Sequence, residues 1–159
     1  MSTPADDSVA RLPTSAMALF DGRDLPEKAS RTFLLATGDS EGLPHLAMLS
    51  VGEVYAPDAS HLHLALHATS GSRHALASSR RGLLVVVGAQ QSLQVRMETE
   101  LIDAFASERI DLFRMRVVSV RDEHAPYATI TSGITFALKG DPAPTIDRWR
   151  QQIDLLRAL

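Results

Sequence analysis

The amino-acid sequence predicts a mainly β, antiparallel protein, closed or partly closed into a barrel, with short helices at its margins and a longer helix at its C-terminus. Three observations carry this. Runs of apolar and polar residues alternate with period two across most of the chain, turn clusters of Gly, Asp, Pro and Ser separate them at short intervals, and helical periodicity of any length is confined to residues 145–159. With 159 residues, 45% hydrophobic and 22% charged, the chain suits one domain spanning 1–159. Closure is the economical arrangement for many strands in so short a chain, because it removes exposed edges.

Residues 1–10 are small, polar and acidic and read as a loose tail. Residues 13–20 have the start signal and length of a short helix, with Gly22 as its stop. Residues 32–37 and 45–55 read as two extended runs joined by the turn Gly38-Asp39-Ser40-Glu41-Gly42. A second turn at 56–60 leads into 61–67, where His61, His63 and His67 share one face and Leu62, Leu64 and Leu66 the other, giving three strands in meander order. Ser70-Gly71-Ser72 opens a short alanine-rich helix over 73–80 that crosses to the apolar strand 83–87. Long alternating runs at 91–104 and 112–121 follow, and the β-branched segment 128–138 reads as a further strand, making six or seven in all. In the final helix Ile146, Trp149, Ile153 and Leu156 form an amphipathic stripe.

Composition narrows function. Cysteine is absent, which excludes disulfides, thiolate metal sites, iron–sulfur clusters and a cysteine nucleophile. A formal net charge of -3 gives no electrostatic reason for a nucleic-acid or anionic-membrane partner, and no apolar run approaches the length of a bilayer span, so a cytoplasmic location is expected.

Gly38-Asp39-Ser40-Glu41-Gly42 matches the Gly-x-Ser-x-Gly pattern of serine hydrolases, but that elbow needs a strand entering and a helix leaving, and here a strand follows. It reads as a hairpin turn. The three same-face histidines, with Asp58 and Glu53 as further ligands, could be set against a metal; a polar strand face fits them better, since neighbouring same-face positions are ~7 Å apart and no carboxylate shares that strand. No metal is predicted. Thr69-Ser70-Gly71-Ser72-Arg73 joins hydroxyls, helix-start amides and a guanidinium, which is phosphate-binding chemistry, although Ser and Thr also cap helices routinely.

The run from Phe33 to His45, the strand 46–51, the segment Leu64-Ala65-Leu66-His67-Ala68-Thr69-Ser70-Gly71-Ser72-Arg73-His74-Ala75-Leu76 and the strand 83–87 together resemble the pyridoxamine 5'-phosphate oxidase-like superfamily of flavin-binding split barrels. The resemblance covers roughly 31–103 and implies a six-stranded antiparallel Greek-key split barrel with short flanking helices and a C-terminal helix. It further implies a homodimer with FMN in a groove at the subunit interface. Met48, Leu49, Ser50 and Val51 then run along the flavin ring, their backbone groups meeting its polar edge. Ser72 and Arg73 match the superfamily's Gly-Ser-Arg-Lys phosphate motif, with Thr69 adding a hydroxyl and Arg73 as the main anchor; Gln94 falls where a glutamine approaches the flavin. His67, near the matched strands, and His74 complete the cofactor set.

Departures are equally specific. Ala47 and Gly52 stand where the true oxidases have an arginine and a lysine, His74 replaces a second lysine, and the oxidases' C-terminal tryptophan and Arg-x-His segment has no counterpart. Vitamin B6 oxidation is therefore not expected. The leading expectation is an FMN-dependent oxidoreductase acting by hydride or electron transfer on an unknown small molecule, with no catalytic side chain assigned. The alternatives are a non-catalytic dimer that holds flavin, deazaflavin F420 or haem, and a dimer that has lost its ligand. Residues 83–87, 94–102 and 112–120 are the expected dimer contacts.

Overall fold

The computed structural model describes residues 10–104, 107 and 109–159; the expected loose tail, apart from Ala10, lies outside the described residues. Two short helices, α1 (Thr14–Leu19) and α2 (Leu25–Lys28), precede β1 (Thr32–Gly38), β2 (Pro44–Ser50), β3 (Val54–Asp58) and β4 (His61–His67). Helix α3 (Gly71–Ser79) leads to β5 (Arg81–Gly88), β6 (Gln91–Asp103) and β7 (Ile110–Asp122), and α4 (Ala143–Ala158) closes the chain. All seven strands join one antiparallel sheet in the order β2-β1-β5-β6-β7-β4-β3.

The sheet must curl. β2 and β3 lie at opposite ends of that order, a separation of about 29 Å were seven strands laid flat. The chain between Ser50 and Val54 can reach only about 14 Å. The corner at 51–53 therefore draws the two edges together, and the Ala65 N–H donates to the Glu53 carbonyl at 2.9 Å across it. This is a split barrel, with seven strands rather than six, because the run 45–55 breaks at this corner. The same break replaces the expected meander: β1–β2 and β3–β4 are hairpins, but they sit at opposite sheet ends.

The other correction concerns 128–138, which is not a strand. It makes one isolated bridge, Thr135 with Arg31, and lies across the β5 end, where the Gln90 N–H donates to the Ile130 carbonyl. A methyl group at Gly133 would overlap the Val87 carbonyl, so this segment depends on glycine for its close approach.

Phe33, Leu35, Leu62, Leu64, Leu84, Val86, Val95, Met97, Phe113 and Met115 fill the interior, with Phe20 set edge-on to Phe33 at 4.9 Å. Helix α3 crosses one end of the barrel, touching β1, β2, β4 and β6, and turns Leu76 and Ser72 inward. Helix α4 packs on β3 and β4 from outside, so β4 is buried on both faces: Leu62, Leu64 and Leu66 enter the core while His63 and Ala65 lie beneath the helix. Among the described residues no helix is long and apolar enough to cross a membrane.

Candidate functional site

The α3 N-terminus is the point where three predicted segments meet. Ser70 caps the helix by accepting from the Arg73 N–H at 3.1 Å. A methyl group at Gly71 would meet the His45 ring at 3.0 Å, so glycine lets β2 approach the helix start. Ser72 is only 2% exposed, and its hydroxyl has no hydrogen-bond partner among the described residues. A buried orphan hydroxyl in the first turn of a nine-residue helix costs free energy unless something accepts from it or donates to it.

Arg73 lies beside it, already engaged: its Nε pairs with Oδ2 of Asp111, a carboxylate 1% exposed at the start of β7. That pair stations the guanidinium at the barrel mouth. At the end of β4, the Thr69 N–H and hydroxyl reach Nδ1 of His67 at 3.3 and 2.8 Å. Since a backbone N–H only donates, Nδ1 is the accepting nitrogen, and the neutral ring carries its proton on Nε2. His74, on the exposed side of α3, makes no side-chain bond among the described residues.

The predicted run 48–51, three residues of β2 and the first residue after it, separates by face. Leu49 and Val51 are buried in the core, and the Leu49 carbonyl accepts from the Thr32 hydroxyl at 3.0 Å; Met48 is 66% exposed on the opposite face. Ser50 commits both its N–H (2.6 Å) and its hydroxyl (2.8 Å) to Oε2 of Glu53, holding the corner shut. Because β2 is an edge strand, half of its backbone polar groups have no ladder partner.

Gln94 shares the outer face with Met48. Met48 pairs with Leu34, Leu34 with Val85 and Val85 with Gln94, one row across β2, β1, β5 and β6. Three strand spacings put the two residues about 14 Å apart. The next row is Leu46, Ala36, Leu83 and Arg96. Leu46 is 59% exposed, so these rows form an apolar surface beside the α3 end.

Sequence reasoning did not place three contributors. Asp111 stands between Ile110 and Leu112 in an apolar strand, and such an interrupted pattern could have marked it. His45 gives no signal for its approach to Gly71. Trp149 fills the space over Gly52 so completely that a methyl group there would overlap its Cβ, Cγ and Cδ1, while Gln152 donates to the Gly52 carbonyl at 2.9 Å. The histidines of β4 diverge: His61 pairs with Asp58 at 3.0 Å, His63 is buried and His67 is exposed. Among the described residues no group of three or more His, Asp or Glu is placed to hold a metal.

No family model matches the chain. Over 141 residues it is 28% identical to the uncharacterized protein YclD of Bacillus subtilis, covering 87% of this chain and 91% of that one. Among solved structures it is similar to a Lactobacillus delbrueckii protein provisionally described as a pyridoxamine 5'-phosphate oxidase (TM-score 0.56, 17% identity, 71% of this chain and 95% of the other). It is also similar to an F420 reductase (0.53, 12%, 69% and 98%) and an FMN-binding protein from Syntrophomonas wolfei (0.52, 12%, 68% and 88%). The fold is thus the split barrel of the pyridoxamine 5'-phosphate oxidase-like proteins, as the sequence resemblance implies.

Proposed function

We propose that the chain binds FMN at the α3 N-terminus and along the outer face of β2, and that it serves as a flavin-dependent oxidoreductase. The observation that supports this most is the buried, unpartnered Ser72 hydroxyl beside Arg73. A phosphate oxygen would supply the missing acceptor, the helix-start amides would face the anion, and Arg73, held by Asp111, would add charge. The donor set fits a phosphate without the oxidases' arginine and lysines, whose places are taken by Ala47, Gly52 and His74.

In this reading Thr69 and His67 bound the phosphate end, and the exposed Met48 side chain with the outward main chain of β2 supports the ring. Ser50 maintains the corner through Glu53 rather than spending its hydroxyl on the ligand. The flavin supplies the hydride chemistry when bound; the protein orients it and excludes water. Gln94 lies three strands from Met48 on the same face, and in this reading a second copy pairing through that face completes the groove, so that the functional unit is a homodimer. The apolar rows containing Leu46 and Met48 are the surface that such a pairing would cover. FMN is preferred to F420, although one structure similar in fold is an F420 reductase.

The test is the absorption spectrum of the purified protein followed by FMN titration. A hydrogen bond to a charged group contributes about 1.5–3 kcal/mol, so Ser72→Ala should weaken FMN binding roughly ten- to a hundredfold. Its stability without FMN should be unchanged or slightly higher. A colourless protein that FMN does not reconstitute would refute the assignment, and a Soret band would replace flavin by haem.

A further inference from the structure

On the other side of the Gly52–Glu53 corner lies a cleft of about 610 Å³ between α4 and the adjoining ends of β4 and β7. Its size is that of a small-molecule site. Its walls bear Arg148 from α4, Arg109 just before β7, His67 from the end of β4 and the carboxyl of Glu53, with Leu155 and the indole of Trp149 as apolar surface.

The charges are arranged unusually. Both Ser50 hydrogen bonds go to Oε2 of Glu53, leaving Oε1 without a hydrogen bond among the described residues. Arg148 faces Glu53 electrostatically, and burial still holds that carboxyl above its ordinary pKa, the Ser50 bonds and Arg148 opposing the rise. Arg109 makes no side-chain bond or ion pair among the described residues, so one guanidinium remains in excess. His67, whose Nδ1 is occupied by Thr69, has Nε2–H left to donate.

We propose that this cleft binds a small carboxylate with a short apolar body, its carboxylate between Arg109 and Arg148 and its chain against Leu155 and Trp149. Two guanidiniums select an anion, planar forks suit a carboxylate, and the aliphatic surface favours an organic ion over an inorganic one. Glu53 opposes the ligand's charge and sets its affinity. The ligand's contacts with Arg109, Arg148, Leu155 and Trp149 use none of the residues of the flavin site, and only His67 borders both.

Trp149 is the sole tryptophan, which makes its emission a built-in reporter. The purified chain is titrated with hexanoate, with 1-hexanol and inorganic phosphate as probes of body and charge alone. Hexanoate should change the emission saturably below about 10 mM. Arg148→Gln and Arg109→Gln should each weaken it about fivefold or more, and Glu53→Gln, which keeps an acceptor for Ser50, should tighten it by a similar factor. Unchanged melting temperatures for the two exposed arginine variants would show that loss of binding is not loss of fold. No saturable change with hexanoate, equal binding of hexanol or phosphate, or indifference to both arginine substitutions would each overturn the proposal. Retained hexanoate binding in a protein that FMN does not reconstitute would leave the cleft standing while refuting the flavin assignment.

Discussion

A single hydrogen atom decides the packing at Gly52. Any Cβ there would enter the Trp149 side chain, so Gly52→Ala must push α4 off the corner or distort the β2–β3 bend. Overpacking of this kind costs about 1–3 kcal/mol, to be read as a drop in the denaturant midpoint. The sequence showed that position 52 lacks the oxidases' lysine, but not that an indole ninety-seven positions away occupies its place; such contacts arise from closure of the fold, which no local pattern encodes. Arg73 illustrates the same gap. Its motif was legible, its partner was not, because Asp111 sits on a different strand. Arg73→Ala removes the guanidinium that faces a carboxylate only 1% exposed, and the melting temperature should fall. The double substitution Arg73→Ala with Asp111→Ala should recover much of that in thermal melts, while FMN binding stays lost; recovery of both would remove Arg73 from the phosphate site.

At the level of elements, α4 is fastened chiefly at its C-terminal end. The last carbonyls of a helix lack internal partners, and here His63 Nδ1–H donates to the Leu156 carbonyl at 2.7 Å while Arg114 donates to that of Leu159. His63 is held below its ordinary pKa, first by burial and further by Arg114 and His61, against the opposing bond to Leu156 and the charge of Asp58. The folded state therefore binds fewer protons than the unfolded state between the depressed value and the ordinary one of about 6.5. The contribution is complete above that value and is lost as pH falls through the folded-state pKa. His63→Asn, which keeps a donor near Nδ1 but does not titrate, should flatten the decline in melting temperature on acidification from neutral pH. An unchanged slope would mean that other groups govern it. The amphipathic pattern of this helix, with Trp149 and Ile153 facing inward, was readable in the sequence; which strands it covers was not. Strand content was likewise readable, but the one break signal in the run 45–55, Gly52, is also tolerated inside strands, and the β-branched 128–138 segment has strand-like composition yet makes only one isolated bridge.

Across the whole molecule, the sheet leaves one face unevenly covered. The core and α4 account for the apolar residues that point inward or under the helix, whereas Leu46 and Met48 project from β2 at 59% and 66% exposure beside Leu34, Ala36, Leu83 and Val85. Residues 83–87 were expected at a dimer contact from sequence, and the outward, half-buried Leu83, Val85 and Val87 are compatible with it; β2 entered that reading only through the flavin groove, not as a contact strand. Isologous pairing would bury these rows and set the Gln94 and Met48 of two copies on one shared surface. A single buried charge is enough to oppose such a surface, since it must lose its hydration without gaining a partner. Met48→Glu should therefore turn the proposed dimer into a species of 17.3 kDa by light scattering, with the strand content by circular dichroism unchanged. FMN affinity should fall with it, because half of the ring's contacts would leave with the second copy. A wild-type protein that is already monomeric at micromolar concentration, or a Met48→Glu dimer with full flavin affinity, would show that this face is not the pairing surface and that the ring is bound by one chain alone.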